Sequence, residues 1–222
     1  NQEKHLRKDQ MEDLVRLMQN ERFMLLSDPG TGKTPPACVY MYWRWHDKQE
    51  RSVWVMPLTL LSKNYDELLE WSEFKPEDLL VYNGGAIAGD PKVLLMTSER
   101  WRRDWEVLLK RFPDIKAFVA DEWQKLGYKS EGSKRTSELR KSMRLIPGFV
   151  PMTGSLIAGR LDSAYTAIDL VEPRYYSGHE NFLAIHAIRD EYKKVQAWIN
   201  HDRLGTILAA HSTARSFEEV HG

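Results

Sequence analysis

Short apolar runs alternate with longer amphipathic segments along most of this chain. Apolar runs bounded by Gly, Pro or charged residues are typical of buried strands, and apolar positions recurring every three to four residues predict helices. The predicted strands are Phe23–Ser27, Ser52–Met56, Leu79–Tyr82, Val93–Thr97, Lys116–Ala120 and Phe149–Thr153. The predicted helices are Asp9–Gln19, Pro36–Asp47, Leu60–Trp71, Arg100–Arg111 and Ser133–Leu145. This alternation predicts an α/β fold with a mostly parallel sheet covered by helices on both faces.

The pattern changes in the last part of the sequence. From Glu180 to Val220 it is helical throughout, and we predict no strand there. No repeat, low-complexity stretch or linker divides the chain, and 222 residues can bury one large core. We therefore predict one domain over residues 1–222, with residues 180–222 as a helical extension.

Composition narrows the classes of partner. Lys and Arg together number 32, as do Asp and Glu, so no net charge attracts nucleic acid and any such site must be a local patch. The single cysteine, Cys38, cannot form an internal disulfide, which is typical of a reducing compartment. No apolar run approaches the roughly 18 residues that a membrane-spanning helix needs. We expect an intracellular protein without a membrane partner, cytoplasmic in a bacterium or a phage-infected host and nuclear in a eukaryote.

A glycine-rich loop lies between the first predicted strand and a predicted helix. Such a loop wraps backbone N–H groups around a phosphate at a helix N-terminus, where Lys33 would reach the β- and γ-phosphates and Thr34 would ligate Mg²⁺. Ser27 stands where the full pattern has its first glycine. The alternative is a Gly-Pro turn with a solvated lysine. The residues predicted to bind a nucleoside triphosphate are Asp28, Pro29, Gly30, Thr31, Gly32, Lys33 and Thr34.

An acidic pair follows another apolar strand. Asp121 and Glu122 come directly after Phe118-Val119-Ala120. At the carboxyl end of a strand beside a phosphate-binding loop, an aspartate can hold Mg²⁺ and the next glutamate can polarise the attacking water. We therefore predict Lys33, Asp121 and Glu122 as catalytic residues, with Asp121 and Thr34 holding the metal. The alternative is that Asp121 caps the following helix.

The region 125–144 concentrates positive charge in this neutral chain. It holds seven basic and two acidic residues, and glycines and serines interrupt its first half. Such a patch suits contacts to nucleic-acid phosphates, for which we select Lys129, Lys134 and Arg135. The alternative is a solvated helix face.

The order of these motifs resembles the first RecA-like lobe of superfamily 2 helicases, nearest to the Swi/Snf-type DNA translocases. The matching segments are Leu6–Gln10 (glutamine motif), Leu25–Thr34 (motif I), Val55–Leu61 (motif Ia), Leu94–Ser98 (a second nucleic-acid loop), Asp121–Gln124 (DExx box) and Met152–Ser155 (motif III). The resemblance covers essentially the whole chain in the correct order. It departs at Trp123 and Gln124, where the family usually has a small residue and then His, and at Ser155-Leu156, where it has Thr-Pro.

The resemblance implies an ATP- and Mg²⁺-dependent motor lobe that moves on duplex DNA. It implies that Gln10 reads the adenine edge. It also implies nucleic-acid contacts by Thr59, Thr97 and Ser98, and coupling of hydrolysis to motion by Thr153, Gly154 and Ser155.

The resemblance also implies a second RecA-like lobe, which supplies arginine fingers. We find no motif of that lobe in the sequence, and we expect it to follow Gly222. Because an arginine finger accelerates phosphoryl transfer by orders of magnitude, we expect this lobe alone to bind ATP weakly and hydrolyse it slowly. Two other functions stay open: another P-loop enzyme such as a small-molecule kinase, and a nucleotide-dependent DNA- or protein-binding module without robust ATPase activity.

Overall fold

The computed structural model describes residues 5–126, 134–157 and 161–222, without the side chains of residues 134–136 and 162–163. Its helices are α1 (Lys8–Gln19), α2 (Thr34–Lys48), α3 (Leu61–Trp71), α4 (Ser98–Arg111), α5 (Lys134–Arg144), α6 (Asp162–Val171), α7 (His179–His186), α8 (His201–His211) and α9 (Phe217–His221). Its strands are β1 (Met24–Leu25), β2 (Arg51–Val55), β3 (Leu79–Val81), β4 (Val93–Met96), β5 (Ile115–Ala120), β6 (Gly148–Pro151), β7 (Ala187–Arg189), β8 (Val195–Trp198) and β9 (Ser212–Thr213). Every predicted strand and helix up to residue 145 is present, with ends that differ by at most two residues.

The central sheet is parallel throughout. Its five main strands are ordered β3-β4-β2-β5-β6. Strand β1 continues this order beside β6 through single bridges from Arg22 to Phe149 and from Leu25 to Met152. Strand β9 pairs with β1 on its other side. Because parallel neighbours share one direction, the loops after β1, β2, β4, β5 and β6 all emerge at the same edge of the sheet.

Alternate residues of each strand enter two separate cores. In β2, Val53 and Val55 pack in the core that includes α4 to α8, while Trp54 packs in the core that includes α1 to α3. In β5, Phe118 lies in the first core and Val119 in the second. This alternation follows from the two-residue period of a strand, and it confirms the predicted sheet with helices on both faces.

The region 180–222 is helical in α7, α8 and α9, but our prediction that it contains no strand was wrong. Strands β7 and β8 form an antiparallel hairpin, and β9 lies parallel to β1. The Asp190 carboxylate holds the hairpin turn by accepting bonds from the Tyr192 and Lys194 backbone N–H groups, at 3.0 and 2.9 Å. These strands are short and half-buried or exposed, so they lack the continuous apolar run that identifies a buried strand.

No helix in the described part of the chain combines the length and the apolar character that crossing a bilayer requires.

Candidate functional site

The predicted catalytic residues meet in one cleft at the carboxyl edge of the sheet. The glycine-rich loop follows β1, Asp121 follows β5 and Thr153 follows β6. The cleft has a volume of about 590 Å³. The residues lining it include Gln10, Pro29, Gly30, Gly32, Lys33, Thr34, Asn64, Asp121 and Glu122. Side chains that are distant in sequence therefore share one site.

The glycine-rich loop has the backbone conformation that its sequence predicts. Gly30 and Gly32 each have φ of +82°, a left-handed conformation that glycine adopts without strain. A Cβ on Gly32 would also lie 2.6 Å from the Gln10 Nε2 atom. Helix α2 begins at Thr34, so Pro35 and Pro36 occupy the first turn, where N–H groups have no intrahelical partner. The loop and the helix start thus present the backbone as a phosphate cradle requires.

The Lys33 ammonium points back into this loop. Its Nζ atom donates to the carbonyls of Ser27 at 2.5 Å and Asp28 at 2.9 Å. Burial lowers the pKa of Lys33, and the nearby carboxylates of Asp121 and Glu122 act in the opposite direction. A phosphate in the cradle would offer this half-buried cation an anionic partner in place of two neutral carbonyls.

Helix α1 is attached to the glycine-rich loop by two side chains. Gln10 Nε2 donates to the Gly32 carbonyl at 3.0 Å, and Gln10 Oε1 accepts from the Arg7 backbone N–H at 3.0 Å. The Arg7 Nη2 atom donates to the Thr31 carbonyl at 2.5 Å. Sequence analysis selected Gln10 for its role toward adenine, whereas it missed Arg7 as a loop contact. The bonds from Gln10 to Gly32 and from Arg7 to Thr31 each join residues more than twenty positions apart in the sequence, so no local pattern reveals them.

Asp121 is a half-buried carboxylate held by an amide. Asn64 Nδ2, on α3, donates to Asp121 Oδ2 at 2.9 Å, and the Glu122 backbone N–H donates to Asp121 Oδ1 at 2.9 Å. Burial raises the pKa of Asp121, while these two bonds lower it. Sequence analysis gave Asn64 no role of its own. Its burial on an otherwise amphipathic helix is the signal that could have identified it.

Glu122 is connected to motif III through Gln124. Gln124 Nε2 donates to Glu122 Oε2 at 2.5 Å, and the Thr153 hydroxyl donates to Gln124 Oε1. The Ser155 backbone N–H donates to the Thr153 hydroxyl oxygen at 3.0 Å. Glu122 itself has φ of +49°, so its backbone is in the left-handed region that non-glycine residues rarely adopt. A continuous hydrogen-bonded path therefore joins the predicted base to the predicted coupling residues.

Motif III also touches the glycine-rich loop directly. A Cβ on Gly154 would lie 2.6 Å from the Pro29 Cδ atom. The Thr153 backbone N–H donates to the Leu25 carbonyl at 3.0 Å. Motif III therefore contacts the glycine-rich loop through Gly154, and strand β1 and Gln124 through Thr153.

Two departures from the family pattern are explained by packing. Trp123 is 1% exposed, and its ring meets Phe149 edge to face with centroids 5.2 Å apart. Leu156 is buried in the same core. These larger residues fill the core beneath α5 and α6 and leave Asp121 and Glu122 in the cleft.

The predicted nucleic-acid hydroxyls differ in accessibility. Thr59 is exposed after β2. The Thr97 hydroxyl caps α4 by accepting from the Arg100 N–H at 3.3 Å. Ser98 is 4% exposed and its hydroxyl donates to Glu99 at 3.2 Å, so it is the least accessible of the three residues, and its contact to nucleic acid stays a prediction.

The basic region 125–144 is partly neutralised. Lys129 lies outside the described residues, as do the side chains of Lys134 and Arg135. Arg140 and Arg144 both pair with the buried carboxylate of Asp169, at 2.9 and 2.6 Å. The charge available to a partner is therefore smaller than the sequence count suggests.

The residues of the cleft fit a magnesium nucleotide. The glycine cradle, the half-buried cation of Lys33 and the start of α2 suit a polyphosphate. The Thr34 hydroxyl and the Asp121 carboxylate are hard oxygen donors of the kind that Mg²⁺ prefers. A cation beside Asp121 would also offset the burial that raises the pKa of that carboxyl.

Solved structures with a similar fold include the Sulfolobus solfataricus SWI2/SNF2 ATPase core in complex with dsDNA, with a TM-score of 0.73 and 18% identity. The match covers 96% of this chain and 45% of that one. The UvsW helicase from bacteriophage T4 has a TM-score of 0.57 and 16% identity, over 75% of this chain and 60% of its own. The chain therefore spans less than two thirds of the length of either structure.

Sequence comparison identifies the family. No curated protein matches the chain. A family model described as DEAD/DEAH box helicase matches residues 7–156, which is well over half of the sequence and includes every motif from Gln10 to Ser155. Because this match extends over so much of the sequence, the chain belongs to the DEAD/DEAH box helicase family.

Proposed function

We propose that this chain is the ATP-binding motor lobe of a DNA translocase of the Swi/Snf type, which couples ATP hydrolysis to movement on duplex DNA. The observation that carries this proposal is the hydrogen-bonded path Glu122–Gln124–Thr153, which joins the predicted base to motif III. Membership of the helicase family implies nucleotide binding and ATP hydrolysis. The similarity to an ATPase core that was solved with dsDNA supports DNA as the partner.

Each residue of the cleft has a role in this proposal. Lys33 and the loop N–H groups bind the β- and γ-phosphates, and Thr34 and Asp121 hold Mg²⁺. When bound, Mg²⁺ neutralises charge that develops on the phosphates. Glu122 accepts a proton from the attacking water, and Gln124 orients the Glu122 carboxylate. Asn64 holds Asp121 in place.

The isolated lobe should be a slow enzyme. Phosphoryl transfer depends on arginines that stabilise the transition state, and in this family the resemblance assigns them to a second lobe. We propose that the second lobe completes both the ATP site and the DNA track.

The test is Mg-ATP hydrolysis with and without duplex DNA, on this chain and on a longer chain that includes a second lobe. We expect DNA-stimulated turnover in the longer chain, and its loss in Lys33→Ala and Glu122→Gln. Glu122→Gln should still bind ATP, because the substitution removes the base and leaves the phosphate cradle intact. ATP binding without DNA-stimulated turnover in either chain would refute the translocase and favour a nucleotide-dependent binding module.

A further inference from the structure

The segment 212–221 lies against the glycine-rich loop. Strand β9 pairs with β1, and the backbone bonds continue beyond it into the loop. The Leu26 N–H donates to the Thr213 carbonyl at 2.8 Å, and the Asp28 N–H donates to the Arg215 carbonyl at 2.9 Å. The first half of the loop is therefore fixed to this segment by its own backbone.

Asp28 also binds the segment through its side chain. Asp28 Oδ2 accepts from the Phe217 N–H, at the start of α9, at 3.1 Å. The Asp28 carbonyl meanwhile accepts from Lys33 and from the Thr31 hydroxyl, at 2.9 and 2.7 Å. One residue thus bonds both to the catalytic lysine and to the segment.

Gly30 makes a second contact between the loop and α9. A Cβ on Gly30 would lie 3.3 Å from the Phe217 ring, and His221 Nε2 lies 3.2 Å from the Gly30 carbonyl. Helix α9 therefore contacts the loop at Gly30, next to Pro29, which contacts Gly154 of motif III.

Arg215 connects the same segment to α1. Its guanidinium donates to Asp13 and to Glu12, the latter at 3.1 Å. Asp13 is 4% exposed, so Arg215 is the cation that compensates a buried carboxylate. Helix α1 carries Gln10, which bonds to Gly32. Arg215 therefore links the two elements that contact the loop: the segment 212–221 at Asp28 and helix α1 at Gly32.

We propose that Arg215 is a positioning residue of the nucleotide site, and that the segment 212–221 and the bound nucleotide stabilise each other. The inference rests on nucleotide binding in the proposed function. The backbone of Arg215 bonds to Asp28, and its side chain fixes this segment to α1, which carries Gln10. Coupling between two sites is reciprocal, so a segment that supports nucleotide binding must itself be stabilised by the nucleotide.

The first experiment measures ADP affinity by calorimetry, well below the melting temperature, for the unaltered chain and Arg215→Ala. We expect Arg215→Ala to bind about tenfold more weakly. The matched control is Arg189→Ala, which removes a similarly accessible arginine that pairs with Glu180 at 2.9 Å in the β7–β8 hairpin. This control should bind ADP like the unaltered chain.

Arg215→Ala leaves Asp13 buried without its cation, so it can fail for reasons of folding alone. The double variant Asp13→Asn with Arg215→Gln removes both charges and keeps an amide in each place. We expect it to fold while attaching the segment less firmly to α1. Arg215→Lys keeps the charge and should restore part of the affinity.

The second experiment measures amide hydrogen exchange with and without ADP. In the unaltered chain, ADP should slow exchange at Asp28 and Phe217, and the effect should disappear at Phe217 in the double variant. A melting temperature lowered by Arg215→Ala with ADP affinity within about twofold of the unaltered chain would overturn the inference, because it indicates a purely structural role. Failure of the unaltered chain to bind ADP at all would overturn both this inference and the proposed function.

Discussion

Gly154→Ala tests whether the contact between motif III and the glycine-rich loop controls the nucleotide site. The new Cβ would lie 2.6 Å from Pro29 Cδ, which is about 0.8 Å short of the 3.4 Å at which ordinary contact begins. It would also lie 3.1 Å from the Pro29 Cγ and backbone N atoms. The proline ring is rigid, so the loop backbone has to move. Overpacking of this kind costs about 1–3 kcal/mol.

If the loop relieves the overlap by moving away, nucleotide binding must return it at the same cost. We therefore expect ADP affinity to fall by about 5- to 150-fold, measured by calorimetry. The matched control is Gly205→Ala in α8, where a Cβ would meet nothing within 4 Å. The control should leave ADP affinity unchanged and raise the free energy of unfolding by about 0.4–1 kcal/mol. Unchanged ADP affinity in Gly154→Ala would refute the reasoning.

Three further predictions address catalysis and stability. Gln124→Ala should lower turnover of the longer, two-lobe chain by up to about 100-fold by releasing Glu122, with ADP affinity unchanged in calorimetry. Asp121→Asn removes a carboxylate whose pKa is raised by burial, but its amide N–H replaces one of the two oxygens that accept bonds from Asn64 and Glu122. Because these effects oppose each other, the free energy of unfolding without nucleotide should change by less than about 1 kcal/mol in urea, and a larger change would contradict this. Burial lowers the pKa of His186, so stability should fall as pH drops below 6.5, where the unfolded chain binds a proton that the folded chain resists. His186→Gln should flatten that decline in urea titrations at several pH values, and an unchanged slope would exclude His186 as its source.

The sequence predicts the main sheet well because the strands are buried on both faces. Strands β2, β4 and β5 contain the buried apolar runs Val53–Val55, Val93–Met96 and Ala117–Ala120, which are typical of central parallel strands. Strand β9 could not be predicted, because its two residues are defined only by pairing with β1 at the other end of the chain. The local sequence pattern of these two residues continues that of helix α8, which directly precedes them.

The sequence likewise predicts some residues of the site and not others. Lys33, Asp121 and Glu122 are identified by local motifs, since a loop that binds phosphate needs its glycines and its lysine in a fixed order. Asn64 and Arg215 were missed because their roles depend on partners that only the fold brings near. The ion pairs of Arg140 and Arg144 with Asp169 were missed for the same reason, and they reduce the charge attributed to the basic region.

The residues predicted to carry the chemistry are held in states that cost free energy, either because a charge is partly removed from water or because the backbone is strained. Asp121 is a half-buried carboxylate, Lys33 is a half-buried cation whose bonds go to neutral carbonyls, and Glu122 is held at a positive φ. Costs of this kind persist only where the surrounding contacts fix the geometry. Here those contacts come from Asn64 and from the Gln124–Thr153 bond, on elements rooted in the two cores. A magnesium nucleotide would offset the first two costs by pairing both charges, so the cleft is arranged to be more stable with its ligand than without it.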